Sequence, residues 1–466
     1  MKGITIREKE ILLALFADDT TLFLDGSEKS FTEAIATLEL FSKISGLKIN
    51  NEKTQISWIG RSRNCKVEYL RDRNFIWDPG TFKTLGITFS TNIEEISHLN
   101  FNGKIDDVKR EIARWKKRHL TPLGRITIIK TLIIPKLTYL FINIPDPNKD
   151  FLKEIDKLLL RFLWGGKTNR IKRSTICKSY EEGGIRMLDI FTYLSSMKIS
   201  WLKRIITARD ALWSHFYPIL KRISCFGEDY AQFCKNRIKN QFWQHVLNHY
   251  ITLYRTNQGH NVEPSTIYDE PIHYNENIKR GNQVIYIKEW EERGILKIKD
   301  ILADDNTSLM SFQDFKNKYN VANADFLLYQ GVSEAIKKYL NDVKRHPLLH
   351  RKIYASELWD CILAGNKVIK AKLHEEISMP TAVKKWNEIF IDLKWNTIFK
   401  NTIKHSSDSQ LRWFQIRLIH RILPTKKYLF RCNLTDDPLC SFCGDTDETL
   451  SHLFWNCTHV KSFGKT

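Results

Sequence analysis

Four residues near the end of the sequence have the types and spacing of a metal site. Cys440 and Cys443 are separated by two residues, His452 follows after eight more, and Cys457 after a further four. Two thiolates close together, followed by an imidazole and a third thiolate, supply the ligands of a closed tetrahedral zinc site, and a closed site is structural. The spacing therefore predicts one structural zinc ion.

The residues around these ligands suit that site. Gly444 permits a tight turn after the first cysteine pair, and residues 450–455 have the pattern of a short helix that presents His452 inward. Cys432 and His459 stay open as substitute ligands, although each is more readily explained as a bystander.

A second candidate is the pair of adjacent acids Asp18 and Asp19, which lies between two apolar runs of strand length. This pattern predicts a hairpin with the acids at its tip. Neighbouring carboxylates repel each other, and a divalent cation between them, with magnesium the natural guest, best explains their crowding at one bend. The alternative is an ordinary hairpin turn, because Asp is a common turn former.

The composition favours a folded protein with a polyanionic partner. The 466 residues are 42% hydrophobic, and 73 Lys and Arg against 53 Asp and Glu leave a formal charge of +20. Such an excess favours nucleic acid through counterion release. Charge that serves solubility alone and an anionic membrane surface are the alternatives.

The nine cysteines are an odd number, in a chain that opens without a cleavable signal sequence. We therefore expect reduced thiols in an intracellular compartment, nucleus or cytoplasm. No apolar run has the length of a membrane span, so no membrane segment is expected. The sequence leaves the oligomeric state open.

Amphipathic helices with basic surfaces make up much of the remaining chain. An apolar stripe from Phe101 to Trp115 is followed by Lys116, Lys117 and Arg118. A second helix begins at Thr121-Pro122 and runs to a kink or end at Pro135, and a third runs from about Lys149 to Trp164, where Gly165-Gly166 stops it. Basic surface between apolar stripes suits contact with a nucleic-acid backbone, although most amphipathic helices simply have a charged solvent face.

Near the zinc motif, residues 411–423 predict another basic amphipathic helix that ends before Pro424. Its arginines, Arg412, Arg417 and Arg421, are candidates for phosphate contacts, and His420 is expected to be a surface residue. The large aromatics Trp359, Trp386 and Trp395 could stack on bases, but packing in cores explains them better.

Several of these motifs together resemble the reverse transcriptases of non-LTR (LINE-type) retrotransposons. Phe16-Ala17-Asp18-Asp19 is similar to the metal-binding turn of the family's palm, and the segments 46–54 and 83–87 are similar to the next two palm motifs in the same order. A helix is predicted between the Asp18-Asp19 turn and the segment 46–54. It should begin at the capping-box spacing of Ser30 and end at Gly46.

The resemblance implies roles for individual palm residues. Lys53 corresponds to a lysine proposed as the general acid for the pyrophosphate leaving group, and Leu85 and Gly86 to the primer grip. Residues 56–89 are expected to complete the remaining palm sheet. An earlier palm strand with a further Asp is expected to lie outside this sequence, so magnesium would bind weakly, or only in a complete enzyme.

The resemblance extends to the helices and to the zinc motif. Leu123-Gly124-Arg125 is similar to a recurrent family signature at the thumb, which would make Arg125 a nucleic-acid contact. The segment 448–454 is similar to the helix of the family's C-terminal Cys-Cys-His-Cys domain. The family's zinc end is expected to hold RNA or target DNA.

The predicted fold is α+β and predominantly α-helical. We expect a partial palm in 1–92, thumb and post-thumb helices in 93–202, a helical linker in 203–404, and a basic helix with the zinc domain in 405–466. The predicted function is that of a fragment of an RNA-directed DNA polymerase that binds RNA and DNA but does not polymerise alone. The alternative is a non-enzymatic nucleic-acid-binding zinc protein derived from a retrotransposon.

Overall fold

The structure is a computed structural model. It describes residues 1–6, 9–17, 19–166, 169–207, 219–220, 223, 228–257, 264–275, 277–304, 308–345, 355–374 and 379–463. Helices dominate and the strands are short, which confirms the predicted α+β, predominantly helical class.

The contacts divide the chain into two compact units, each discontinuous in sequence. Unit 1 consists of residues 1–104, 138–148 and 191–375, and unit 2 of residues 105–137, 149–190 and 376–466. This division differs from the four ranges expected from the family resemblance, because thumb helices and the zinc motif fall in the same unit. Those four ranges stay a prediction about domain organisation.

The strands of unit 1 pair only two by two within the described residues. The pairs are Ile4–Ile6 with Lys9–Ile11, Leu13–Phe16 with Asp19–Leu22, Gln55–Ile56 with Ile76–Trp77, Thr81–Thr84 with Ile87–Ser90, and Lys279–Arg280 with Gln283–Val284. Only the Gln55–Ile56 pair is parallel. Residues 56–89 do form short strands, but in the described chain these strands pair only two by two and do not join the hairpin at Asp19 in one sheet. Their place in a palm stays a prediction.

The first helix of unit 1 begins earlier than its sequence pattern suggested. It spans Glu28–Ser45, and its N-cap is Ser27, whose hydroxyl accepts a hydrogen bond from the Ser30 amide. The end at Gly46 is confirmed: this residue has φ 78°, the left-handed conformation of a helix C-cap. Phe31 and Ile35 of this helix pack with Phe75 in a small core.

The other helices of unit 1 enclose two larger cores, one around Trp243, Tyr250 and Trp359 and one around Trp290 and Phe315. The burial of Trp359 confirms its predicted place in a core. These helices are Ile96–Phe101, Ile190–Thr207, Glu228–Arg237, Gln241–Thr256, Lys288–Glu292, Phe312–Tyr319, Phe326–Arg345, Ala355–Ala364 and Asn366–Leu373.

A buried polar network centred on Asp146 joins three segments of unit 1. One carboxylate oxygen, Oδ2, lies 2.7 Å from His249 Nε2, and the other, Oδ1, lies 3.5 Å from Lys198 Nζ. The Asp146 amide donates to His245 Nδ1, and Ser195 Oγ lies 2.9 Å from His249 Nδ1. The side chain of Lys198 is fully buried, so this network compensates a charge that water does not reach.

The helices of unit 2 come from both halves of the sequence. They are Lys104–Lys116, Pro122–Ile128, Lys149–Leu163, Arg173–Cys177, Thr381–Asn387, Trp395–Lys404, Ser409–Ile419, Lys426–Arg431 and Thr458–Phe463, with π-helical turns at Ile129–Ile133 and His452–Asn456. A core of this unit contains Trp386, Trp395 and Phe399, so these two tryptophans also pack as predicted.

The predicted ends of the thumb helices are mostly confirmed. The helix from Pro122 continues as a π-helical turn and breaks before Pro135, where the helix Pro135–Asn143 begins. The helix Lys149–Leu163 ends at Gly165 and Gly166, both of which have positive φ. The stripe from Phe101 to Trp115 is divided between two helices, because Gly103, also with positive φ, separates them.

Within the part of the chain that the structure describes, no single helix is both long and apolar enough to cross a membrane. One bent pair, Pro122–Ile133 and Pro135–Asn143, reaches that length and composition jointly. The cores of water-soluble proteins contain helices with the same composition.

Candidate zinc centre and basic surface

The four predicted zinc ligands come together in unit 2. The ligand atoms of Cys440, Cys443, His452 and Cys457, here called the zinc cluster, all lie within 4.8 Å of one another. Cys443 Sγ lies 3.3 Å from His452 Nε2. Among the described residues this is the one group of three or more His, Cys or acidic side chains placed to share a metal ion.

The local backbone explains how these ligands meet. The Cys440 amide donates to the Thr446 carbonyl and the Gly444 amide to the Cys440 carbonyl, which closes the turn that carries both first cysteines. Gly444 has φ 72°, as its predicted role in a tight turn requires. On the other side, the Cys457 amide donates to the His452 carbonyl across the π-helical turn. This turn brings His452 and Cys457, which are five residues apart, to the same ligand cluster.

The cluster fits zinc by geometry and by chemistry. Tetrahedral zinc, with bonds of about 2.3 Å to sulfur and 2.0 Å to nitrogen, needs ligand atoms roughly 3.5–3.8 Å apart, which small side-chain adjustments provide here. Hydrogen bonding, first from the Asp445 backbone, lowers the pKa of Cys443 to about 6 and favours the thiolate that binds metal. Burial raises the pKa of Cys440, which is more enclosed than Cys443.

Two residues that sequence reasoning did not single out support the cluster. Thr446 Oγ1 lies 3.0 Å from His452 Nδ1 and so orients the ring with Nε2 toward the thiols. The carboxylate of the buried Glu448 accepts hydrogen bonds from the amides of Lys426 and Ser441 and from the Ser441 hydroxyl. Burial alone would raise the pKa of Glu448, but these hydrogen bonds outweigh it and lower the pKa. The position of Glu448 in the sequence, between the cysteine pair and His452, was the signal that could have identified it as a supporting residue.

The substitute ligands considered above are not in the cluster. Cys432 is exposed and unpaired, and His459 lies outside the group, in the helix Thr458–Phe463. None of the described cysteines forms a disulfide, in agreement with the predicted reduced thiols.

The basic residues predicted to contact nucleic acid all lie in unit 2. Lys116, Lys117 and Arg118 are exposed at the end of the helix Lys104–Lys116 and just beyond it. Within the described chain none of the three pairs with a carboxylate. Their charges are therefore available to a partner, and their contact with nucleic acid stays a prediction.

Arg125 has an intramolecular role. Its Nη1 donates to the carbonyls of Phe162 and Leu163, at 3.1 and 3.2 Å, and so caps the end of the helix Lys149–Leu163. A Cβ atom at Gly165 would lie 2.6 Å from the same nitrogen, which explains why glycine stands there. Burial lowers the pKa of Arg125, although the group stays a cation. The contact of Arg125 with nucleic acid stays a prediction.

The predicted basic helix spans Ser409–Ile419, so Arg412 and Arg417 lie in it and Arg421 lies just beyond its end. The three arginines differ in their surroundings. Arg412 Nε donates to the Ser406 carbonyl. Burial, and then the neighbouring charge of Arg170, lower the pKa of Arg417, whose Nε is buried without a hydrogen-bond partner. Arg421 stacks over Trp386, with its Cζ 4.5 Å from the ring centre, and its buried Nη1 is also without a partner.

His420 is half-buried and makes intramolecular contacts, whereas the sequence predicted a surface residue. Its Nε2 lies 2.8 Å from the Gly183 carbonyl oxygen, and its ring stacks on Phe399 at 5.9 Å. Burial lowers the pKa of His420, which indicates a neutral ring. The histidine therefore fastens the C-terminal helices to the Gly183 segment that follows the thumb helices, a long-range contact without a sequence signal.

The predicted hairpin around the acids is confirmed, although half of the acidic pair is outside the described residues, and its place in a palm stays a prediction. Leu13–Phe16 pairs antiparallel with Asp19–Leu22, with Phe16 opposite Asp19. Asp19 is exposed at the start of the second strand, whereas Asp18 lies outside the residues that the structure describes. The described residues place no group of three metal-binding side chains at this tip, so they do not by themselves fit a magnesium site.

Lys53 and the predicted primer grip are in turns of unit 1. Lys53 is exposed in the short 3-10 turn Asn51–Lys53. Leu85 and Gly86 form the two-residue turn between Thr81–Thr84 and Ile87–Ser90, both with positive φ, as a tight hairpin requires. Tyr139 Oη donates to the Leu85 carbonyl at 2.8 Å and fixes this turn. The catalytic and primer-grip roles of these residues stay predictions.

Comparison with known proteins agrees with the zinc geometry. Residues 381–463 match the protein family described as zinc-binding in reverse transcriptase. The C-terminal region is a reverse transcriptase zinc-binding domain. This zinc-binding domain contains the whole zinc cluster, Glu448 and the basic helix Ser409–Ile419.

The similarity continues through the rest of the chain. The sequence is 21% identical over 526 residues to the Transposon TX1 uncharacterized 149 kDa protein of Xenopus laevis, a match that covers 99% of this chain. The chain spans 39% of the length of that relative. Together with the zinc-binding domain, this match confirms the predicted resemblance to a LINE-type retrotransposon reverse transcriptase.

Proposed function

We propose that unit 2 is a nucleic-acid-binding part of a LINE-type reverse transcriptase, in which thumb helices and the zinc-binding domain act on the same nucleic acid. The observation that carries this proposal is that the exposed cations Lys116–Arg118, the arginine helix and the zinc cluster belong to one compact unit. The partners we propose are the element's own RNA and its target DNA.

The charges of this unit support a polyanionic partner. Among the described residues, neither Arg417 nor Arg421 pairs with a carboxylate, and each keeps a buried N–H group without an acceptor. The proximity of Arg170 to Arg417 places two like charges together. A phosphate group at the exposed part of these side chains would relieve this repulsion, because guanidinium groups bind phosphate strongly. The buried Arg417 Nε and Arg421 Nη1 stay out of its reach.

The proposal predicts how salt affects binding. We expect a Lys116→Gln/Lys117→Gln/Arg118→Gln variant to bind RNA and DNA more weakly whatever the sequence. The slope of log affinity against log salt should fall in magnitude by about 2–3, since each lost phosphate contact removes roughly 0.7–0.9. Fluorescence anisotropy over a salt series measures this slope.

A matched variant removes the same charge from unit 1. Lys288, Lys299 and Lys337 are exposed, and each already pairs with an acid. A Lys288→Gln/Lys299→Gln/Lys337→Gln variant should keep nearly the wild-type slope. Equal loss in both variants would mean that only net charge matters and would contradict an interface in unit 2.

We further infer that this chain alone does not extend primers. Two-metal nucleotidyl transfer needs several carboxylates that bridge both ions, and Asp19 is the one carboxylate that the described residues place at the hairpin tip. A primer-extension assay with magnesium or manganese is expected to give no product. Robust incorporation by the purified chain, abolished by Asp18→Ala, would refute this inference and locate the metal.

The intracellular setting is also part of this proposal. Free thiols and a thiolate zinc site are stable in reducing compartments, and all described cysteines are free. Nucleus and cytoplasm are the compartments in which an element RNA and its DNA target are available.

A further inference from the structure

The side chain of Glu448 joins two separate segments of the zinc-binding domain. One segment is the turn between the first two zinc ligands, where Ser441 donates two hydrogen bonds to Glu448 Oε2, from its amide at 3.0 Å and from its hydroxyl at 2.9 Å. The other segment is the helix Lys426–Arg431, where the Lys426 amide donates to Glu448 Oε1 at 2.9 Å. Glu448 is buried, and each of its carboxylate oxygens serves one of the two segments.

The helix Lys426–Arg431 has few other sources of stability. It contains six residues and none of them is buried, so neither its length nor apolar packing stabilises it. Thr425 occupies its N-cap position, but the Thr425 side chain makes no capping hydrogen bond. The Glu448 carboxylate replaces this cap, because it accepts the amide of the first helical residue and places a negative charge beside the N-terminal end.

The other end of this link belongs to the turn that carries the first two zinc ligands. Ser441 follows Cys440 directly, and Cys443 comes two residues later. Bonds from zinc to both sulfurs would hold this turn, and with it both Ser441 donors, in one conformation. The Glu448 amide donates to the Pro438 carbonyl at 2.8 Å, which fixes the backbone of the acid beside the same turn.

We propose that Glu448 links zinc occupancy to the order of the helix Lys426–Arg431, which contains none of the four ligands of the zinc cluster. Bound zinc fixes the ligand turn, the turn positions the Glu448 carboxylate, and the carboxylate caps the helix. Glu448 is therefore a positioning residue and not a ligand. The inference requires no binding of nucleic acid, so its test and the test of the proposed function can fail independently.

The variant Glu448→Gln separates the two ends of the link. It replaces one carboxylate oxygen by an NH2 group, which donates a hydrogen bond and does not accept one. Two hydrogen bonds hold the side chain at Ser441 and only one holds it at the Lys426 amide. The NH2 group should therefore face the Lys426 amide, donor against donor. We expect this variant to keep the ligand turn and its zinc but to lose the helix cap.

Hydrogen exchange of the purified full chain, with zinc bound and after its removal by a chelator, tests this link. In wild type, zinc removal should lower the protection of the helix Lys426–Arg431. In zinc-bound Glu448→Gln we expect one zinc ion per chain but about 3- to 30-fold lower protection of this helix, the range for loss of one cap. If the helix is protected in this variant, or in metal-free wild type, to the same degree as in zinc-bound wild type, the proposal is wrong.

A second variant cuts the link from the side of the helix. Lys426→Pro removes the donating amide, and proline is well tolerated at the first position of a helix. This variant should keep its zinc, and zinc removal should affect the protection of the helix less than in wild type. It decides the test if Glu448→Gln does not bind zinc, because an undiminished response to zinc removal in Lys426→Pro would refute the link.

The neighbouring acid provides a matched control. The side chain of Asp447 is 45% exposed and pairs with Lys427 Nζ at 2.9 Å. Asp447→Asn therefore removes a negative charge next to Glu448 without removing any hydrogen bond of the link. Protection of the helix should stay within about twofold of wild type, since exposed ion pairs contribute little. A loss as large as in Glu448→Gln would mean that only negative charge near the helix matters and would refute the proposal.

Discussion

A Cys440→Ser/Cys443→Ser variant is expected to contain no zinc, where wild type contains one ion per chain, and to lose the fold of residues 425–463. Folding and metal binding are coupled in small zinc domains, where the ion contributes on the order of 10–16 kcal/mol. The region can replace little of this, because its described helices after Pro424 are at most six residues long and mostly exposed. Atomic absorption measures the metal, and limited proteolysis followed by mass spectrometry measures the lost protection.

The core around Trp395 and Phe399 limits how far this unfolding spreads. Trp386 contacts Trp455 of the π-helical turn His452–Asn456 and should lose protection on that side. Trp395 packs with Phe399, so the helix Trp395–Lys404 should stay protected. Cys432→Ser is the matched control, because this thiol is exposed and outside the cluster. If the Cys440→Ser/Cys443→Ser variant had full zinc content and the same proteolysis pattern as wild type, the zinc assignment would be wrong.

Asp146→Asn is expected to destabilise unit 1 by about 3–5 kcal/mol, the usual loss when one partner of a buried ion pair is removed. The reason is that the fully buried Lys198 loses its counter-ion, so the pKa of its ammonium group falls further and the stabilising ion pair is lost. Burial already lowers the pKa of Lys198 to about 8, despite the opposing effect of Asp146. Hydrogen exchange of the helix Gln241–Thr256, which carries both histidines of the network, measures the change.

Two comparisons test this explanation. Glu334→Gln removes a carboxylate from an exposed ion pair with Lys337 of the same unit and should change stability by no more than about 0.5 kcal/mol. Lys198→Met in the Asp146→Asn background should restore much of the lost stability, because it removes the buried amine. A loss in Asp146→Asn no greater than in Glu334→Gln would contradict the network's role.

The effect of pH on this network follows from the direction of the carboxyl pKa. Burial alone would raise the pKa of Asp146, but the hydrogen bond and charge of His249, and then the charge of Lys198, lower it. The stabilisation is therefore complete above the ordinary pKa of about 4 and is lost as the pH falls through the lower folded value.

Local features of this protein were predictable wherever a short stretch of chain contained the whole cause. The zinc cluster is one case, because four ligands within eighteen residues can meet through local turns alone. Three further features were predictable for the same reason. The predicted palm hairpin depends on a turn, the helix end at Gly46 on a left-handed glycine, and the break before Pro135 on a missing amide. The helix start at Ser27 was missed because two serines three residues apart both offered a cap.

Long-range arrangement was not available from those patterns. The sequence gives no sign that Arg125 caps a helix end 37 and 38 residues away, that His420 contacts the Gly183 carbonyl, or that Asp146 lies beside Lys198. Polar groups choose such partners only after apolar packing has brought distant segments together, because a buried donor or charge must then be satisfied by whatever lies beside it.

The sequence by itself thus determined the helical class, the ligand set of the zinc-binding domain and the excess of positive charge. Only the tertiary structure decided that the helix Lys149–Leu163 shares one compact unit with the zinc cluster, and that Arg125 is engaged internally while Lys116–Arg118 are exposed. The physical reason is that turns, caps and ligand spacing act over a few residues, whereas burial depends on how the whole unit packs.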